Sequence, residues 1–321
     1  MMKKIHLSSF TSIISLFALL IVFQILTNGL MLTPLNLTML IDQTVVLLIA
    51  TAGTVFVVAL GSVDLSVGVV LAFSAVVGDC AYQATGSTLL MIVVALAIGI
   101  GFGALNGFII AKCKVQSFMC TLAEAIGVRG VVNYIQSIVG VNYTSKELML
   151  LKNDSLKIPL LISILAVLWI LFEYTKFGRR CQAVGENEVV ADYTGVEVNK
   201  IKIFAYMISG LTAAIGGIFT MARLGGTSTT MGTNFEMKVL IAIYVGGVLV
   251  RGGSTARTYK VIIGSFIVMV IENGLKIMGY ASSEINETAM GILLMLILFI
   301  SITSENRSEK KKVKKAKLAE N

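Results

Sequence analysis

The stretch Gly61-Ser-Val-Asp-Leu-Ser-Val-Gly68 is a polar, glycine-bounded break between two long apolar runs, Val45–Leu60 and Val69–Val77. A water-soluble core does not need runs of that length. A membrane span does, because about 20 mainly apolar residues are required to cross roughly 30 Å of hydrocarbon. The alternation of apolar run and short polar break continues along the chain and restricts it to an all-α integral membrane architecture with helix breaks. Only 14% of the residues are charged, against about 25% in ordinary soluble domains.

Read in order, the runs predict about ten transmembrane helices. They lie near Phe10–Leu30, Asn36 or Gln43 to Leu60, Leu65–Gln83, Leu89–Ala111, Val115–Val139, Ile158–Tyr174, Ile203–Arg223, Phe235–Val250, Tyr259–Tyr280 and Glu287–Thr303. The segment Phe10–Leu30 is long enough to span and carries no small-residue cleavage site of a secretory signal. Lys3, Lys4, Lys112, Lys114, Lys176, Arg179, Arg180, Lys200 and Lys202 place one set of loops on the cytoplasmic side. Both termini then lie there, and the expected location is the cell membrane. Residues 1–303 form one transmembrane domain, and 304–321 form a basic cytoplasmic tail. Seven of the 26 Lys and Arg lie in that tail, so the net charge of +8 reads as a solvated, disordered positive-inside end or one that touches anionic membrane lipid, and not as a nucleic-acid site.

Several polar groups fall where charge is costly and normally faces a cavity or a partner. Asp64 follows an apolar run and is placed to cap the helix that begins after it. Glu124, Arg129, Asn133 and Gln136 interrupt the least apolar run. Asp64, Glu124, Asn133 and Lys238 are the candidates for a substrate path. Trp169 and Tyr174 are placed as interface anchors. Gly99, Gly101, Gly103 and Gly107 are placed on helix packing faces. The breaks Gly61–Gly68 and Gly246–Gly253 align as a candidate internal repeat.

The four cysteines form no metal-ligand or redox spacing, and His6 is the only histidine. A membrane-embedded enzyme therefore finds no catalytic constellation. No Gly-x4-Gly-Lys-Ser/Thr phosphate cradle is present. No cofactor or metal is expected in this chain, and if ATP powers it another chain supplies the site. The polar segment Thr175–Lys202 has helix-forming character from Ala183 to Ala191 and a glycine turn at Gly195, which suits docking into a soluble partner. A transporter driven by ions or protons through Asp64 or Glu124 is the alternative.

Taken together, Gly61–Gly68, Ala104-Leu-Asn-Gly107, Arg180–Lys202, Gly225–Gly232, Phe235–Glu236, Gly246-Gly247 and Glu272-Asn-Gly-Leu275 resemble the ribose and simple-sugar branch of ABC importer permeases, related to the branched-chain amino-acid permeases. The resemblance implies a subunit paired with a second permease subunit, as homodimer or heterodimer. It also implies two cytoplasmic ATP-binding subunits, which use ATP and Mg, and an extracytoplasmic solute-binding protein. It implies that the coupling helix contains Ala183, Gly185, Glu186, Asn187, Glu188, Ala191 and Gly195. Glu124 stands where the family usually has a small or apolar residue, and Lys238 where it has an acidic one. A compensating Glu124–Lys238 pair across the pore is one expectation.

Overall fold

The computed structural model describes residues 7–140, 143–280, 282, 284–296 and 299, with side chains from residue 13 onward. The basic tail, Lys3, Lys4, His6 and the end of the last expected span lie outside the described residues. The helices are α1 (Leu7–Leu26), α2 (Pro34–Ala59), α3 (Val67–Thr85), α4 (Thr88–Lys112), α5 (Ser117–Val139) and α6 (Asp154–Trp169), which runs on into a π turn, Ile170–Tyr174. Then follow α7 (Lys176–Glu186), α8 (Glu188–Tyr193), α9 (Val198–Leu224), α10 (Phe235–Val245) and α11 (Thr258–Ile277). Residues 284–296 are also helical. Among the described residues the only β pairing is an isolated bridge between Tyr143 and Gly226.

Among the described residues six helices are long and apolar enough to cross a membrane: α2, α3, α4, α5, α6 with its π turn, and α9. These six do not confirm the expected count of about ten. The run Phe235–Val250 is the clearest departure. Its helix stops after 11 residues, about 16 Å of rise, or half the hydrocarbon thickness. Gly246 and Gly247 end it, and Gly247 has φ +95°, a conformation that glycine alone adopts freely.

The bundle is organised around α2 and α9. Pro34 opens α2 at its first position, where its missing N–H costs no hydrogen bond. From Thr44 to Ala59 every residue of α2 is buried, because α9, α10, α11, α6 and α7 all pack on it. Thr51 Oγ1 and Ser265 Oγ lie 3.0 Å apart between α2 and α11. Thr54 Oγ1 and Ser209 Oγ lie 3.3 Å apart between α2 and α9. Such hydroxyl pairs hold helices together where both sides of a packing contact are apolar.

The tightest crossing is between α4 and α9. Gly99, Gly103 and Gly107 present bare backbone to Gly210, Tyr206 and Ile203. Gly101 points elsewhere and has open space where a Cβ would be, so three of the four glycines lie in the contact. The opposite faces of the peripheral helices expose Val93, Leu105, Phe108, Phe118, Ile126, Ile162 and Val167, the pattern of a multi-pass protein turned toward lipid. Trp169 and Tyr174 stand edge to face at 5.7 Å on this outer surface.

Candidate functional site

Two breaks and one elbow meet at the end of the bundle where α2 stops. Gly61 has φ +72°, and a Cβ on it would stand 3.0 Å from the Arg251 carbonyl oxygen. Gly252, with φ +73°, lies beside the Val58 carbonyl and 2.9 Å from the Gly61 amide by the same measure. The breaks that align in sequence are therefore in contact with each other. Gly185 of α7 closes the junction, with its Cβ position against the Ala59 carbonyl and the Gly253 amide.

Side chains lock this contact. Glu186 accepts hydrogen bonds from the Ser254 amide at 2.8 Å and the Ser254 hydroxyl at 2.5 Å. Gln182 donates to the Ala256 carbonyl at 3.1 Å. Glu173, in the π turn, accepts from Arg257 at 2.8 Å and from the Thr258 amide at 3.1 Å. Lys260 donates to the Gly247 and Thr255 carbonyls at 2.8 and 2.9 Å, satisfying the break from within. Cys181 is buried on the inner face of α7, and desolvation pushes its thiol up to about 12.

The expected helix through Ala183–Ala191 is interrupted at Asn187. Its side chain accepts from the Val190 amide at 3.0 Å and caps α8. The competition between helix continuation and a local Asn cap is won by the cap. The interruption turns α8 outward. Gly185 and Ala191 face the body, whereas Ala183, Glu188, Val189, Val190 and Tyr193 are exposed, Tyr193 by 88%. Glu188 pairs with Lys202 at 2.7 Å, and Gly195, with φ +82°, makes the turn into α9. The exposed apolar tip Val189, Val190 and Tyr193 went unnoticed in the sequence, where Ala183–Ala191 read as one helix.

Above the junction lies a buried polar cluster. Asp64 is 3% exposed. It accepts from the Ser66 amide (2.9 Å) and hydroxyl (2.6 Å) through one oxygen and from Ser209 (2.7 Å) through the other. Asp64 does not cap α3, whose N-cap is Ser66. Instead it ties the break to α9. The break's amides at Val63 and Leu65 are satisfied by Ser117 and Thr121 of α5, and the Val63 carbonyl by the Tyr206 hydroxyl. This is the condition under which irregular backbone survives at membrane depth. Asn106 donates to Ser66 at 3.1 Å. The Glu124 carboxylate oxygens are buried beside this cluster without a well-formed hydrogen bond, in the field of Asp64.

The expected Glu124–Lys238 pair does not form, and Glu124 and Arg129 do not meet either. Arg129 turns away from Glu124 and donates to the Met231 and Gly232 carbonyls, both at 2.8 Å, clamping the turn between α9 and α10. Lys238 does not face Glu124. It pairs with Glu272 of α11 at 2.9 Å, and Lys276 joins at 2.8 Å. Asn133 is exposed on α5, apart from the cluster. The site of Lys238, Lys276 and Glu272 opens into two adjoining chambers of about 450 and 490 Å³ that share these residues and Thr233. The arrangement comprises an elbow, a polar seam through the bundle and a charged chamber at the far end of α9. It contains no nucleophile–base pair.

Comparison with known proteins bears on what such an arrangement serves. Residues 36–301 match the family model described as branched-chain amino acid transport system / permease component. The chain is 32% identical over 307 residues to the ribose import permease protein RbsC of Escherichia coli (strain K12), covering 93% of this chain and 94% of that one. It is 31% identical over 310 residues to the ribose import permease protein of Bacillus subtilis (strain 168), covering 93% and 95%. It is 27% identical over 363 residues to the xylose transport system permease protein XylH of Haemophilus influenzae, covering 92% and 96%. No solved structure matches. The relatives are transport subunits and not enzymes, and the match spans most of the chain. The chain thus belongs to the branched-chain amino acid transport system / permease component family, as its resemblance to the simple-sugar ABC importer permeases implied.

Proposed function

We propose that the chain is the transmembrane permease subunit of an ATP-driven importer for a sugar or sugar-like small solute, working by alternating access. Cytoplasmic ATP-binding subunits, a second permease subunit and an extracytoplasmic solute-binding protein complete it, with both termini on the cytoplasmic side. The observation that carries this reading is the elbow at α7–α8. Its outer arm offers Val189, Val190 and Tyr193 to a partner. Its inner arm is bonded through Gln182 and Glu186 to the junction of both helix breaks. A push on α8 is transmitted to α7, and α7 bears directly on the ends of α2 and of the 246–257 break. Motion there redirects α2, the helix on which the bundle packs. Glu188 and Gly195 act at the outer arm and its turn, Ala183 lies exposed on the inner arm, Asn187 caps α8 at the bend, and Gly185, Glu186 and Ala191 hold the elbow to the body. Asp64 keeps the break tied to α9 during the motion.

The test uses the full chain purified with its ATP-binding partner and reconstituted with the solute-binding protein. Val190→Asp and Tyr193→Ala remove the apolar tip at exposed positions, so membrane insertion is retained. ATPase capture is expected to fall, and ATP-dependent uptake with it. Undiminished capture and uptake in both variants would refute the assignment of α8. Uptake abolished by a proton uncoupler at constant ATP would refute the importer reading itself.

A further inference from the structure

The charged chamber at the end of α9 remote from α8 holds more positive charge than its protein partners neutralise. The 450 Å³ chamber is lined by Arg223, Lys238 and Lys276, with Glu272 the only carboxylate on its wall among the described residues. Glu272 is occupied, since it accepts from both lysines. Arg223 makes no hydrogen bond or ion pair to any described residue, and the nearby Asp42 is engaged by Lys157. Arg223 is exposed at the mouth of the chamber, in the field of Asp42 and Glu272, and its guanidinium is open to a ligand. Its planar fork matches carboxylate and phosphate. Gln43, Ser228 and Thr230 line the same wall and suit hydroxyl groups, and Phe235 and Leu71 offer apolar surface. The volume lies in the range of small-molecule sites, roughly 300–1,000 Å³. The concavity favours a small solute over the flat surface of a docked protein.

We propose that this chamber accepts a negatively charged sugar derivative, bearing a carboxylate or phosphate group that pairs with Arg223 and the exposed side of Lys276, in preference to a neutral sugar. The proposal rests on the permease reading and names the solute class for it.

The test is thermal unfolding of the full chain in detergent at constant ionic strength. The probes are D-ribose, D-ribonate, D-ribose 5-phosphate and inorganic phosphate. At least one of the two anionic sugars is expected to stabilise the chain at a concentration about tenfold or more below that of ribose, the worth of one charge-assisted contact. Which of the two does so identifies carboxylate or phosphate. Arg223→Gln is expected to abolish that preference and Arg223→Lys to retain part of it, which a merely structural arginine would not do. Equal response to ribose and both anions overturns the proposal, as does a preference that survives in Arg223→Gln. So does inorganic phosphate alone matching the anionic sugars. Should Arg223→Gln leave every probe response intact but lose capture of the solute-binding protein, the cations serve docking and the proposal fails. None of these outcomes touches the α8 variants, so the importer reading stands or falls separately.

Discussion

Adding one methyl group at Gly103 separates packing from every other effect, because Gly101 on the same helix supplies the control. In Gly103→Ala the new Cβ falls against the Tyr206 carbonyl oxygen and 2.8 Å from both the Tyr206 carbonyl carbon and the Met207 Cα. Carbon atoms pack best at about 3.5–4.0 Å, so α4 and α9 must part by roughly an ångström. All the opposing atoms are backbone, and no side chain can rotate away. Overpacking of this kind costs about 1–3 kcal/mol. The gain from replacing a mid-helix glycine by alanine, about 0.5–1 kcal/mol, offsets part of it. Gly101→Ala receives the same helix gain and meets nothing within 4 Å. The difference between the two variants therefore isolates the packing term at about 1–3 kcal/mol in favour of Gly101→Ala. Denaturant titration of the purified chain in mixed micelles measures it. Two variants of equal stability would refute the α4–α9 contact as the reason for Gly103.

Three further outcomes follow from single contacts. Arg129→Met removes both bonds to the Met231 and Gly232 carbonyls, about 2 kcal/mol of local stability. Amide exchange over residues 228–234 should quicken while α2 stays protected, and unchanged exchange would count against the clamp. Lys260→Met leaves the Gly247 and Thr255 carbonyls without their buried donor, at about 1–3 kcal/mol for an unsatisfied group. Tryptic cleavage after exposed Arg251 should accelerate, and an unaltered rate would refute the role given to Lys260. Cys181, its thiol raised to about 12 by burial, exists as thiolate in only about one molecule in ten thousand at pH 8. Maleimide should label exposed Cys113 and leave Cys181 blank through pH 9, and labelling of Cys181 there would contradict its burial in α7.

Much of the fold was legible in the chain's one-dimensional pattern. The apolar runs marked α2, α3, α4, α5, α6 and α9, because helix length follows directly from the thickness of hydrocarbon to be crossed. In the structure Pro34 starts α2 and Gly225 stops α9 through their own backbone preferences. The limits show at α10, where an unbroken apolar run, Phe235–Val250, ends as a helix halfway. Composition carries no trace of that stop beyond Gly246-Gly247, and a glycine pair inside a span is equally compatible with close packing.

The candidate site divides along the same line. The sequence alone determined that this is a multi-pass membrane chain, that Gly61–Gly68 and Gly246–Gly253 interrupt it, and that a polar segment near Ala183–Gly195 lies outside the spans. Only the tertiary structure decided which groups meet. Glu124 and Arg129 sit five residues apart, yet Arg129 reaches carbonyls more than a hundred positions away. Lys238 answers to Glu272 and not to Glu124. Asp64, placed to cap α3, bonds across to Ser209. Span length and helix breaks are local properties, governed by solvation of one segment at a time. Pairing is not local. It depends on which faces of two helices are brought together, and here that was decided by glycine contacts such as Gly103 against Tyr206.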